Sequence, residues 1–266
     1  MLGQTFSKRL QGLGIDFEAP TSKEFDFLNI PRNLNPTLSS FSHILNAAAF
    51  TDVELAETET ELAMRLNCRP LEFISKSARD VGAELFHVST DYVFDGEKGG
   101  PYLKSDFTNP INFYGKSKEC GEIKVLGNNP DAKIIRTSWL YGPGGNCFPA
   151  KIRSRLESGE PVSVVDDQYS TPTSTEFLTD FVLQLSRMQE QGGIFHGVPL
   201  GRASWFEFSQ LISEGASEGT VLPISSNDIV TKAKRPRNSQ LVAEEWTTVS
   251  WQEAWMASSM QKIISS

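Results

Sequence analysis

Most of the usual signposts to function are missing from this chain of 266 residues. Cysteine is scarce: only Cys68, Cys120 and Cys147 occur, an odd number, widely spaced and without a Cys-x-x-Cys pair. That pattern argues against a disulfide framework or a zinc site, and the expectation is reduced thiols in a cytoplasmic protein. The three histidines, His43, His87 and His196, show no metal-ligand spacing, so no protein-bound metal centre is expected. No apolar run approaches the ~18 residues of a membrane span, and the first residues lack a signal-peptide pattern. Basic residues are outnumbered, 25 Lys and Arg against 33 Asp and Glu, for a net charge of -8. Nucleic-acid binding without sequence preference needs a basic footprint, which this composition does not supply. Neither a nucleic acid nor a membrane is expected as a partner.

What is present is organised around Leu85 to Lys118. Leu85, Phe86 and Val88 make a short apolar run that suits a buried strand. Ser89-Thr90-Asp91 places two hydroxyls and a carboxylate where that run stops. Asn109-Pro110 is a turn signal, and a helix is expected after it. Tyr114 and Lys118 are four apart and share one face of that helix. A phenol, an ammonium and a strand-end hydroxyl then converge. A carbonyl that accepts hydride needs a proton on its oxygen, and a tyrosine can supply it. A neighbouring ammonium favours the phenolate, so Lys118 is expected to lower the Tyr114 pKa. The spacing Tyr-x-x-x-Lys alone is common; the strand and Ser-Thr-Asp-Tyr before it add the specificity.

Along the chain, Leu2, Phe6, Leu10 and Leu13 follow helical spacing over residues 1–14. Ile15-Asp16-Phe17 and Glu24-Phe25-Asp26-Phe27 are expected as short strands. His43 to Ala49 is expected as a buried strand ending in small residues, which let a flat ligand approach the backbone. Thr58 to Ala78 is amphipathic, with Pro70 expected to interrupt it. Further elements are expected at Ala132–Ser138, Phe148–Leu156, Val162–Val165, Thr175–Met188 and Gly192–His196. Ser204-x-x-Glu207 fits a capping box for a helix that carries Trp205, Phe206, Phe208 and Leu211. The run Lys232 to Asn238 concentrates cations and reads either as a solvated loop or as a cradle for phosphates.

Strands alternating with helices give an α/β fold: a Rossmann-like, doubly wound parallel sheet with ligands at the carboxyl ends of its strands. Residues 1–165 are expected to form the dinucleotide-binding domain. Residues 166–266 are expected to form mainly a small substrate-binding subdomain, with some chain crossing back.

The segments NAAAFT (46–51), HVSTDYVFDG (87–96), NPINFYGKSKECGE (109–122), IIRTSWLYGPGGNCF (134–148), VVDDQYSTPT (164–173) and KRPRNSQL (234–241) resemble the extended short-chain dehydrogenase/reductases. Within these they resemble the dTDP-4-dehydrorhamnose reductase family. The resemblance implies hydride transfer from a nicotinamide to C4 of a 4-keto nucleotide sugar. It implies Tyr114 as general acid, Lys118 on the nicotinamide ribose, and Thr90 on the substrate oxygen with Asp91 beside it. Trp139 matches a position that packs on the sugar; Lys151, Gln168 and Arg235 match the nucleotide diphosphate side. Met1, Leu2 and Gly3 match the end of a cofactor turn. Asp26 and Phe27 match the pair near the adenine, and Ala48, Ala49 and Phe50 the cofactor-contacting strand end.

The chain departs from that family in two places. The family opens with a strand and a turn of the form G-x-x-G-x-x-G, of which only Gly3 is present. That strand lies mid-sheet in the order 3-2-1-4-5-6, and its loss leaves unpaired ladders. The expectation is that the natural start lies upstream of Met1; the other reading is a true short form that recruits another strand. For residues 1–266 alone, cofactor binding is expected to be weak. The second departure is that no carboxylate follows the second strand, where one would select the bare ribose of NAD. Thr21, Ser22 and Lys23 stand there and suit a 2′-phosphate, so NADPH is expected ahead of NADH. A bridging Mg²⁺, as in some relatives, and a homodimer stay open. Two other readings also stay open: a non-catalytic, NADP-binding regulatory subunit of the methionine adenosyltransferase type, and a related nucleotide-sugar epimerase or dehydratase.

Overall fold

In the computed structural model, residues 1–144, 146–159, 161–188, 190–214, 219–258 and 260 are described. Gly145, in the aromatic-glycine loop, and the tail from 261 lie outside them. The chain opens directly on helix α1 (Leu2–Gly12). Strand β1 (His43–Asn46) follows, then the short helix α2 (Val53–Ala56), α3 (Thr60–Asn67) and α4 (Arg69–Val81). Next come β2 (Glu84–Thr90), α5 (Phe113–Asn128) and β3 (Lys133–Thr137). The remaining long elements are α6 (Phe148–Leu156), β4 (Val162–Val165), α7 (Thr175–Leu185), β5 (Gly193–His196), α8 (Trp205–Ser213), β6 (Val221–Ile224) and α9 (Trp251–Ala257).

Four strands form one parallel sheet in the order β1-β2-β3-β5. Alternate residues feed its two faces, as the two-residue period of a strand requires. Leu85 and Ile134 join Leu71 and Ile74 of α4 and Val125 of α5 on one side. Phe86, Ile135 and Phe195 join Leu2 of α1 and Leu178 and Phe181 of α7 on the other. Both faces are thus covered by helices, which is why β2 and β3 read as near-continuous apolar runs.

A second core lies outside this sheet. β4 pairs parallel with β6. Val162 and Val164 pack there with Ile152 and Leu156 of α6, Phe208 and Ile212 of α8, and Trp251 and Trp255 of α9. The capping box at Ser204 is formed: the Glu207 N–H donates to Ser204 Oγ (3.0 Å) and the Ser204 N–H to Glu207 Oε2 (2.7 Å).

Several expectations are corrected. Ile15–Phe17 and Glu24–Phe27 are not strands. Among the described residues the four-stranded sheet ends at β1, and neither segment pairs with its open edge. Asp26 instead caps a single 3-10 turn, Phe27–Asn29. Val162–Val165 is a strand, but of the second sheet. The amphipathic stretch from Thr58 breaks as expected: α4 starts afresh at Arg69, with Pro70 in its first turn where a missing N–H is harmless.

The expectation of three reduced thiols is also overturned. Cys68 and Cys120 form a disulfide with Cα atoms 5.3 Å apart, and Cys147 stays free and buried. Cys68 sits in the break between α3 and α4, and α5 lies against that break. A Cβ on Gly121 would come within 2.3 Å of the Asn67 carbonyl oxygen. Only glycine lets the two backbones approach that closely.

Candidate active site

Three strand ends and one helix start build the site. Thr90 closes β2, and its backbone runs into a 3-10 turn, Asp91–Val93, that Thr90 Oγ1 caps by accepting the Tyr92 N–H (3.2 Å). Helix α5 begins opposite. Asn112 caps it, accepting the Gly115 N–H at 2.8 Å, and Glu57 takes the Phe113 N–H at 2.7 Å. A Cβ on Gly115 would lie 2.1 Å from the Tyr92 carbonyl oxygen. The helix therefore presses onto the 91–93 turn at a residue without a side chain, and its neighbour Tyr114 reaches Thr90.

The hydroxyls of Thr90 and Tyr114 are hydrogen-bonded to each other. Burial pushes the Tyr114 phenol up to about 12; the Thr90 bond pulls it down and the Asp91 carboxylate pushes it further up. That reverses the expected direction. Lys118 is not turned toward the phenol: its Nζ donates to the Val88 carbonyl (2.7 Å) and lies 3.4 Å from His87 Nε2. Taking a phenolate out of water outweighs any help from an amine so placed. Burial lowers Lys118 itself to about 8, with Glu122 opposing. Tyr92 packs edge-on against Tyr114, ring centroids 6.1 Å apart.

Asp91 is buried and accepts from Ser170 (3.0 Å), from Ser239 and from Thr90 (3.1 Å). Burial still raises its pKa to about 6. Trp139 is the one non-glycine residue with positive φ among the described residues, at 43°. Such backbone strain marks a position held by its surroundings. The Ser138 hydroxyl ties this turn to the Thr171 carbonyl (2.7 Å), and the Trp139 ring stacks on Trp205 with centroids 3.5 Å apart. Phe148 backs Trp205 at 4.4 Å.

Of the residues expected on the diphosphate side, Arg235 faces the site. It pairs with Glu54 of α2 (2.7 Å) and hydrogen-bonds Tyr92. Gln168 is half-buried and Lys151 is exposed on α6; neither makes a side-chain bond to the residues above. Asp26 turns its carboxylate onto its own Leu28 N–H and Asn29 amide. Phe27 packs edge-on to Phe25.

The expected cofactor side fits a dinucleotide in three respects. No side chain caps the first turn of α1 after Met1, so the N–H groups of Leu2, Gly3 and Gln4 have no helical partner. Oriented N–H groups at a helix start suit a pyrophosphate. Leu2 and Ala47 pack in one cluster, so the start of α1 and the end of β1 are neighbours. After β1, Ala48 and Ala49 offer backbone with little side chain, and Lys118 offers a buried amine. The glycine-rich turn is not among these residues.

Sequence reasoning missed the brace of this segment. Asn67 accepts the Phe50 N–H (2.7 Å) and donates to the Phe50 carbonyl (3.0 Å) and Ser117 Oγ (2.9 Å). It ties the strand end to α5 across 17 and 50 residues, which no local pattern announces. Ser170, Ser239 and Trp205 were missed too; the only signal is the polar and aromatic content of VVDDQYSTPT and of the Ser204 helix.

Gly115→Ala is expected to lower turnover at least tenfold and to lower the melting temperature as well. The added carbon meets backbone, which cannot swing away, so α5 must retreat and carry Tyr114 with it. Steady-state kinetics beside a melting curve checks this; wild-type kcat in the variant would show that the close approach is unimportant.

A family model described as the RmlD substrate binding domain matches residues 1–264. The dTDP-4-dehydrorhamnose reductase of Salmonella typhimurium is 38% identical over 240 residues, 85% of this chain and 80% of that protein. A dTDP-4-keto-6-deoxy-D-glucose reductase of Streptomyces niveus is 35% identical over 255 residues, 92% of this chain and 86% of that one. Among solved structures, the Bacillus anthracis dTDP-4-dehydrorhamnose reductase in complex with NADP superposes with a TM-score of 0.90 at 31% identity, covering 96% of this chain and 93% of that one. With its sheet, its strand-end threonine and its helical tyrosine and lysine in place, the chain belongs to the dTDP-4-dehydrorhamnose reductase family.

Proposed function

We propose that this protein reduces the 4-keto group of dTDP-4-dehydro-L-rhamnose with NADPH, giving dTDP-L-rhamnose. The observation that carries the reading is the meeting of Thr90 and Tyr114 at the end of β2, beside a buried Lys118, in a chain of this family. When bound, the reduced nicotinamide supplies hydride. Tyr114 supplies the proton to the sugar oxygen, and a phenol pushed up to about 12 holds that proton throughout the neutral range. Thr90 fixes the oxygen in line with it. Lys118 holds the nicotinamide ribose through the N–H bonds left over from Val88. Asp91 anchors Ser170 and Ser239, which brings the 164–173 and 234–241 segments against β2.

Trp139 packs on the sugar, and Arg235, Lys151 and Gln168 face the diphosphate. Met1, Leu2, Gly3, Ala48, Ala49 and Phe50 line the cofactor, with Asp26 and Phe27 toward the adenine. The substrate lobe takes residues from 141–165 as well as from 166–266, because α6 and β4 share the second core with α8 and α9. Among the described residues no group of three or more His, Cys, Asp or Glu side chains could hold a metal ion. Among them, too, no helix is long and apolar enough to cross a membrane. The cytoplasm is the proposed compartment, since the reaction draws on a nucleotide sugar and reduced nicotinamide.

The test is direct. The protein is incubated with dTDP-4-dehydrorhamnose and NADPH, and in parallel with dTDP-4-keto-6-deoxyglucose or NADH. Product is separated and its sugar identified by mass and by NMR. Rhamnose formation, faster with NADPH, is expected. Absence of reduced sugar from both substrates overturns the proposal, and preference for the second moves it toward the Streptomyces enzyme's chemistry.

A further inference from the structure

We propose that His87 is a positioning residue for Lys118, held in one tautomer by Asn46 so that its Nε2–H points at the lysine amine. The chain of hydrogen bonds that requires this starts on the backbone. The Ala48 N–H donates to Asn46 Oδ1 at 3.1 Å. A backbone N–H only donates, so the orientation of the Asn46 amide is set. Its Nδ2 then lies 3.0 Å from His87 Nδ1. An amide nitrogen also only donates, so Nδ1 accepts. A neutral imidazole that accepts at Nδ1 carries its proton on Nε2. His87 is 1% exposed, and burial together with the nearby Lys118 keeps it neutral.

Nε2 lies 3.4 Å from Lys118 Nζ. The Nε2–H can meet the lone pair of a neutral amine. Against an ammonium it would set two donors face to face. The arrangement therefore makes Lys118 a weaker base than an ordinary lysine, the direction that burial also drives. It leaves Val88 to take one amine proton and the remaining N–H to turn outward. The other charges near Lys118 are accounted for. Glu122, on the same helix, favours its charged form but is held by Arg136 of β3 and by Ser89. Tyr114 is neutral, Glu57 of α2's exit is bound to the Phe113 N–H, and the α3–α4 junction contributes only Asn67 and the Cys68–Cys120 bond. Burial lowers Lys118 to about 8, and its proton exchange is coupled through His87 and Asn46 to the backbone of the cofactor-side strand end.

Only the kinetic part of this inference rests on the reductase reading. The structural part is tested on the free protein by two-bond nitrogen–hydrogen NMR of its three histidines. His87 is expected as the Nε2–H tautomer. His196, whose Nδ1 must donate to the Val242 carbonyl at 2.9 Å, gives the opposite pattern as an internal standard. A proton on His87 Nδ1 overturns the proposal. In Asn46→Asp the carboxylate draws the proton to Nδ1 and turns Nε2 into an acceptor for the ammonium. The Lys118 pKa, read from its side-chain carbon shift without substrate, is expected to rise by about one unit, and the alkaline limb of kcat to move with it. His87→Leu, which only removes the N–H, should move both upward by less and serves if the aspartate variant does not fold. Unchanged Lys118 titration in both variants rejects His87 as the tuning group. The expected tautomer and titration shifts without any ketone reduction would instead reject the reductase reading and leave the hydrogen-bond chain standing.

Discussion

Tyr114→Phe lowers turnover by about a thousandfold while NADPH affinity stays nearly unchanged. General acid catalysis is worth roughly 10²–10⁴-fold, and here no second acid stands in its place. Asp91 is tied to two serines, and Tyr92 is held neutral by burial, with its hydroxyl bonded to Arg235. The ring of the variant keeps its edge-on contact with Tyr92, so the helix stays where it is. The binding half of the prediction follows from position: Lys118, Ala48 and the first turn of α1 do not touch the phenol oxygen. Single-turnover rates with saturating cofactor, next to a cofactor titration, check both halves. A variant within tenfold of wild type would remove Tyr114 from the acid role.

The second large effect concerns stability. Glu122 and Arg136 form a buried pair with bonds of 2.6 and 3.0 Å, and Ser89 donates to the same carboxylate at 2.5 Å. Arg136 also lies over the Phe94 ring, 5.0 Å from its centroid. Removing either partner leaves a buried charge without its ion-pair partner. Glu122→Leu or Arg136→Met alone should each lose about 3–5 kcal/mol. In a chain of this size that is a fall of roughly 10 °C in melting temperature. The two changes together should recover most of the loss, because neither charge of the pair remains. Thermal and denaturant melts of the four proteins check the cycle. A double variant less stable than either single one would show that packing, not charge, dominates there.

Local signals carried the fold a long way. Leu85, Phe86 and Val88 read as a buried strand because both faces of β2 are covered. Pro70 read as a helix boundary because its ring fits only a first turn. Tyr114 and Lys118 read as one face because helical period alone puts them there. What local signals did not carry is what depends on distance and burial. The electrostatics of Tyr114 were misjudged because spacing says nothing about where an amine points once it is buried. The Cys68–Cys120 bond spans 52 residues and follows from helix packing at Gly121. Val162–Val165 has strand composition, but only the aromatic core of α6, α8 and α9 decides which sheet it joins. Asn46, His87 and Asn67 look like unremarkable polar residues in the chain; their partners lie 17 to 50 positions away.

The two indoles that face each other at Trp139 and Trp205 also have an optical consequence. Indoles stacked at 3.5 Å couple their electronic transitions, so a change in their mutual arrangement alters the protein's ultraviolet absorption and circular dichroism. A sugar that lies down on Trp139 changes the surroundings of this pair. Its arrival can therefore be timed by light, with no dye, no label and no turnover.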